Sequence, residues 1–292
     1  MNQINQFNNI IKNMSKQNIF VKSSLLGATK CLFTAALLFV VFSCSNDEKQ
    51  KVTTMTKLVM QDEFDTDGAP NSAIWDYNIG TGSNGWGNNE LEYYTDRSDN
   101  VKVVDGMLQI TAKKEAFMGS EYTSARILTK GKFEQKQGRF EARIKMPYGQ
   151  GMWPAFWLLG GNSDEVTWPQ CGEIDIMEYR GQQPTVTNAA VHGPGYSGAN
   201  AISKSYDLIN DRFDTDFHIF GIEWGEKYIN FYVDDVLYNQ ITPDKVTGEW
   251  VYDHPFYIIL NLAVGGNYVG SPNSATPFPQ TMYVDYVRVY KK

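Results

Sequence analysis

Cysteine and histidine are scarce in this chain, at three residues each in 292. The cysteines, Cys31, Cys44 and Cys171, are too few and too scattered for a disulfide framework or a cysteine-built metal cluster. Three separated histidines give no zinc-ligand spacing either, and His218 and His254 read as structural. Basic residues are outnumbered, 26 against 33 acids, for a formal charge of −7. That balance argues against nucleic acid and anionic membranes as partners and suits a neutral polymer. Internal repeats, proline-rich linkers and long stretches of helical period are also missing, which excludes solenoids and helical bundles.

There is one long apolar run, Cys31 to Phe42, interrupted only by Thr34. It follows Lys22 and Lys30 and precedes Ser43-Cys44-Ser45, the order of a secretory signal. Spanning a bilayer takes about 20 apolar residues, so this run is short for a membrane anchor helix, the alternative reading. Val41-Phe42-Ser43-Cys44 resembles a bacterial lipobox, and Ser45-Asn46-Asp47-Glu48 is similar to the acidic tags of surface-displayed lipoproteins. The resemblance implies a lipid on Cys44 and export to the outer membrane or cell surface of a Gram-negative bacterium. The long leading segment makes Met14 an alternative start. Cleavage before Cys44 removes four lysines and no acids, taking the charge from −7 to −11. The expected division is a signal over 1–43, a polar tether over 44–56 and one folded domain over 57–292.

Within 57–292 the period is two. Met107 to Ala112 alternates, as does Gly138 to Met146, with Phe140, Ala142, Ile144 and Met146 on one side. Ile219 to Trp224 and Tyr228 to Val233 flank a Gly-Glu-Lys turn and read as a hairpin; Met282 to Tyr290 alternates to the end. Short alternating runs punctuated by Gly, Asn, Asp and Pro predict an all-β sandwich or barrel.

The densest chemical signal is Glu173-Ile174-Asp175-Ile176-Met177-Glu178. Glu173 and Asp175 share a strand face, and regular pleating would bury Glu178 on the other. A buried unpaired carboxylate costs several kcal/mol. A β-bulge near Ile176-Met177 removes the conflict by returning Glu178 to its neighbours' face. Three acids on one face raise at least one pKa, leaving an acid beside a carboxylate, which is what cleavage of a glycosidic bond requires. A calcium site and a solvated acidic strand are the competing readings, but calcium prefers loops with several oxygen ligands.

This hexapeptide resembles the catalytic motif of glycoside hydrolase family 16 in its bulged, laminarinase-like form. Gly85 to Thr95, Tyr122 to Ile127, Pro147 to Trp157, His192 to Tyr196 and Asn261 to Gly266 follow in the family's order, so the resemblance runs over essentially all of 57–292. It implies a β-jelly-roll sandwich of two curved antiparallel sheets with a concave substrate cleft. Glu173 resembles the nucleophile, Glu178 the general acid/base and Asp175 the carboxylate that assists its neighbour. The implied reaction is retaining endo-hydrolysis of β-1,3-glucan, with mixed-linkage β-1,3-1,4-glucan as a second substrate and carboxyl groups about 5–5.5 Å apart. The alternatives are another β-linked polysaccharide such as agarose, or a non-catalytic glucan-binding lectin.

Trp153, Trp157 and Trp86 are candidate sugar platforms, because an indole face suits the C–H groups of a pyranose. By the same resemblance His192 lies beside the acid/base, and Asn89, Glu90 and Arg126 contact the non-reducing side of the cleft. Asn267 and Tyr268 are further candidates. Catalysis needs no cofactor, but the family implies a structural calcium ion held by Glu63, the backbone at Gly106 and Asp285. The expected partner is a polysaccharide, the membrane is touched only through the lipid, and the protein is expected to be a monomer.

Overall fold

A computed structural model describes residues 54–292. The expected signal, the lipobox-like segment and most of the expected tether lie outside them. Among the described residues there is no α-helix, only three short helical turns. The alternating segments fold as their pattern dictates. Met107–Phe117, Gly138–Lys145, His218–Gly225, Tyr228–Val233 and Gln280–Lys291 are all strands. Met107–Phe117 buries alternate residues, while Gly138–Lys145 and His218–Gly225, inside the sheet, are buried on both faces over most of their length.

Two sheets form. The ten-stranded one runs Val236–Ile241, Tyr228–Val233, His218–Gly225, Gly138–Lys145, Gln280–Lys291, Met107–Phe117, Ser120–Ser124 and Glu92–Tyr94, with Lys57–Asp62 and Val101–Val104 paired off this path. The eight-stranded sheet runs Ile202–Asp207, Val186–His192, Glu173–Tyr179, Met152–Gly160, Phe256–Val264, Arg126–Leu128 and Asp76–Asn78, with Glu134–Gln135 joined to Phe256–Val264. All pairings are antiparallel except Glu92–Tyr94 with Ser120–Ser124. Phe140, Phe220, Phe231 and Trp224 of the first sheet share one buried core with Phe156, Ile174, Ile258 and Leu260 of the second. Truncating such a side chain to alanine costs about 2–5 kcal/mol.

The folded unit begins slightly before the expected boundary. Thr54 and Met55 donate their backbone N–H groups to Glu223 Oε1 at 2.6 and 3.3 Å, and Met55 is buried. An acid that accepts two amides fixes this stretch, so the last residues of the expected tether belong to the domain.

Gly85–Asn89 is a tight turn at one end of the eight-stranded sheet. Gly85 has φ +56°, and a Cβ there would lie 2.5 Å from both N and O of Glu90. Only glycine fits. Trp86, next in the chain, also takes the left-handed region, at φ 52°. A bulky residue held there marks a turn that its surroundings over-determine. Asn88 O accepts from Asn267 N at 2.8 Å, and Leu91 N donates to Val264 O at 2.8 Å, so this turn is clipped to the one after Phe256–Val264.

Candidate active site

Glu173–Tyr179 is a central strand of the eight-stranded sheet, between Met152–Gly160 and Val186–His192. Ile174, Ile176 and Met177 are buried in the core. Two consecutive residues turned inward require a bulge, and the register with Val186–His192 shifts between Asp175 and Glu178. The shift brings Glu178 round to the outer face, opposite Ala155 and Asn188, while Glu173 stands opposite Leu159 and His192. Asp175 between them is 4 % exposed.

Each glutamate has an indole donor. Trp168 Nε1 donates to Glu173 Oε2 at 2.9 Å, and Trp153 Nε1 donates to Glu178 Oε1 at 3.2 Å. His192 Nε2 lies 3.0 Å from Asp175 Oδ2 and 3.6 Å from Glu173 Oε1. Burial, then the Asp175 charge, pushes Glu173 up to about 8, against the pull of His192, the Trp168 hydrogen bond and Arg126. Burial, then Asp175, also pushes Glu178 up to about 8; His192, and more weakly Trp153, act against it. The pair therefore loses its protons one after the other. The first charge settles where donors are better placed. Glu173 has the shorter indole bond and the closer imidazole, so Glu173 ionises first and Glu178 keeps its proton.

Two influences on His192 disagree. Burial lowers it, but the close Asp175 and the charges of Glu173 and Glu178 outweigh burial and raise it to about 9. Yet the Gly198 N–H donates to its Nδ1 at 3.0 Å, and that bond needs a lone pair which an imidazolium lacks. That hydrogen bond opposes the charged form and favours a proton on Nε2, toward the acids. Glu173, Asp175 and His192 each place a ligand atom within 4.8 Å of the others, close enough to share an ion. A metal-bound histidine, however, carries its proton on the other nitrogen and donates it. The Gly198 amide prevents that.

Residues 88–288 match the model of glycosyl hydrolases family 16. The chain belongs to glycoside hydrolase family 16. It is 40% identical over 270 residues to a beta-glucanase of Rhodothermus marinus, covering 88% of this chain and 94% of the relative. It superposes on the laminarinase catalytic domain of Thermotoga maritima with a TM-score of 0.77 at 48% identity, covering 81% of this chain and 98% of that one. The endo-beta-1,3-glucanase of Pyrococcus furiosus gives 0.78 at 48% identity, over 80% and 94%. As a family 16 member the protein is a glycoside hydrolase, and the jelly roll expected from its motifs is the fold observed.

Within this family 16 site the expected sugar-binding residues are put to several uses. Trp153 joins Tyr268, ring centroids 5.0 Å apart, and the Arg180 guanidinium stacks 4.0 Å over Tyr268. Asn188 Nδ2 donates to the Tyr268 hydroxyl at 2.7 Å, holding that ring beside Trp153, the donor to Glu178. Trp157 donates its indole N–H to Asn261 Oδ1 at 2.7 Å, and its face carries Arg126 at 4.8 Å. The same guanidinium lies 4.8 Å over Trp86, so Arg126 is clasped between two indoles. Asn89 Nδ2 donates to Asn267 Oδ1 at 3.0 Å and thereby links two loops. Glu90 accepts from the Tyr94 hydroxyl at 3.0 Å and from Asn88 Nδ2 at 3.2 Å.

Two expectations need correction. His192 stands next to Asp175 and the nucleophile-like Glu173, not next to Glu178, because it ends its strand opposite Glu173. The calcium ligand set does not fit an ion as placed. Both Glu63 oxygens accept from Arg288 at 2.7 Å, and Asp285 Oδ2 accepts from Arg143 Nη1 at 2.7 Å. A guanidinium on each carboxylate displaces the open oxygen cage that calcium needs, whatever the Gly106 turn offers.

Trp168 escaped the sequence analysis. It sits in the polar turn before the catalytic strand, 47 % exposed, with its ring 5.7 Å from that of His192. Nothing local in its turn, which also holds Val166 and Pro169, marks it as the partner of Glu173.

Proposed function

We propose that this enzyme is a retaining endo-β-1,3-glucanase, laminarinase-like, with mixed-linkage β-1,3-1,4-glucan as a second substrate. The observation that carries the reading is the pairing of Glu173 and Glu178 with different donors on one bulged strand, in a cleft walled by Trp153 and Trp168. The relatives named as laminarinases and endo-1,3-glucanases support the substrate.

In this mechanism the Glu173 carboxylate attacks the anomeric carbon as Glu178 gives its proton to the departing glycosidic oxygen. A covalent glycosyl–Glu173 ester results. Glu178, now a base, takes a proton from water, which attacks the same carbon and releases Glu173. Trp168 Nε1–H stabilises charge on Glu173 before attack and after release. His192 Nε2, 3.0 Å from Asp175 Oδ2 and 3.6 Å from Glu173 Oε1, flanks the assisting carboxylate between the two glutamates. Trp153 and Tyr268 form a wall next to Glu178 on which a glucose ring can stack. All three acids are present, which favours catalysis over the lectin reading.

Export and a lipid anchor at Cys44 belong to the same proposal. They rest on the lipobox-like segment and place a polysaccharide hydrolase where its polymer is. Product analysis on laminarin, lichenan, curdlan and agarose tests the substrate. Laminarin reduced to short oligomers, with lichenan cut more slowly, is the expected result. Action on agarose alone would overturn the glucan assignment and leave the mechanism; binding of laminarin without cleavage would restore the lectin.

A further inference from the structure

Beneath the loop that carries Glu90 lies a second carboxyl group, isolated from solvent. Glu92 is 0 % exposed. Its Oε2 accepts the Val264 N–H at 2.6 Å, while Oε1 is buried with no donor directed at it. The neighbouring acid is Glu90, two residues earlier and so on the same side of the extended chain. Glu90 accepts one donor on each oxygen, from Tyr94 and Asn88, and keeps further lone pairs on both. The cation whose charge acts on Tyr94, Arg126, is held between Trp86 and Trp157. With both carboxylates charged, Glu92 would have neither solvent nor a counter-ion.

The polarity of the surrounding hydrogen bonds decides which acid is neutral. Trp157 donates to Asn261 Oδ1; Asn261 Nδ2 donates to the Tyr94 hydroxyl at 3.2 Å; that hydroxyl donates to Glu90 Oε2. Every link delivers a proton toward Glu90, so Glu90 is the charged acceptor. The orphaned oxygen of Glu92 is satisfied when it bears a proton and donates to Glu90 as well. We propose that Glu92 is a positioning residue, a neutral carboxylic acid that donates through Oε1 to Glu90 and fixes the Glu90 carboxylate to receive sugar hydroxyls at the end of the cleft remote from the scissile bond.

This rests on the glucanase reading in that Glu90 is taken to face substrate. Burial and the adjacent Glu90 charge hold Glu92 well above the ordinary carboxylate range. The other titratable groups around it are Tyr94, itself raised by burial, and Tyr122, its register partner on Ser120–Ser124. Glu92 therefore keeps its proton through neutral pH. Loss of that proton at alkaline pH sets two charges against each other under the loop and weakens the grip on the sugar. The reacting groups on Glu173–Tyr179 are untouched, so the effect falls on KM.

The test is laminarin kinetics of Glu92→Gln and Glu92→Leu across neutral and alkaline pH, with an infrared difference spectrum of wild type against Glu92→Gln. Glutamine can donate but cannot ionise. Its KM should stay near the wild-type value at neutral pH and remain flat where the wild-type KM climbs. Leucine leaves Glu90 short of a donor and should raise KM about tenfold or more with kcat little changed, the scale of one hydrogen bond to a charged group. The wild-type spectrum should hold a protonated-carboxyl band above neutral pH that the glutamine variant lacks. Absence of that band, or a glutamine variant as impaired as the leucine one, overturns the proposal. The spectrum needs neither substrate nor a folded leucine variant, so it separates failure of this inference from failure of the glucanase assignment.

Discussion

Replacing Glu173 by alanine is expected to lower kcat on laminarin by about five orders of magnitude, the scale on which a covalent nucleophile is missed. Binding of laminarin should survive, because Trp153, Tyr268 and the Gly85–Asn89 turn are held by contacts that do not involve Glu173. Loss of both activity and binding would mean that the side chain supports the cleft and not the reaction. The alanine leaves space at the anomeric carbon beside Trp168 and Asp175. Azide can enter it and, with an aryl glucoside whose phenolate leaves unaided, form a carbon–nitrogen bond on the face opposite the leaving group. The α-glucosyl azide is the product expected. A β-azide would move the nucleophile's role to another residue.

Replacing Glu178 by glutamine should cost about 10²–10⁴ in kcat on laminarin, where the departing sugar oxygen must be protonated. The cost should nearly vanish in the first step with a dinitrophenyl glucoside. Turnover then stalls at the glycosyl–Glu173 ester for want of a base, so stopped-flow should record a burst of dinitrophenolate followed by slow release. Without a burst, Glu178 would not be the acid. The pH dependence follows from the same proton. Burial and Asp175 hold Glu178 up to about 8. The acid form is the active one, so the wild-type rate should fall on the alkaline side as the second proton of the pair is lost. The burst in the glutamine variant should lack that alkaline limb.

How far the sequence reaches depends on the range of the interaction concerned. Strands such as Gly138–Lys145 and Tyr228–Val233 were legible because alternation is a local consequence of burying one face. The bulge was legible too: Glu173, Asp175 and Glu178 cannot share a face without one, and Ile176 and Met177 are the two residues that turn inward. Trp168 was not, because nothing local says that a turn residue will reach back to Glu173. The pairing of Trp157 with Asn261 and Arg126 was hidden for a related reason, since it joins three strands distant in sequence. Glu92 reads as a strand acid until its parallel pairing with Ser120–Ser124 removes it from water. The calcium expectation failed on Arg288 and Arg143, whose reach to Glu63 and Asp285 depends on register.

One measurement bears most directly on the claim that Glu173 and Glu178 carry out a double displacement. Proton NMR of the reducing-end anomer, recorded in the first minutes of laminari-oligosaccharide hydrolysis by the wild-type enzyme, reads the stereochemistry before mutarotation erases it. The β-anomer should appear first and the α-anomer grow in later. An α-anomer formed first would mean single displacement by water, with carboxyl groups too far apart for a glycosyl–enzyme ester, and would contradict the role given to Glu173.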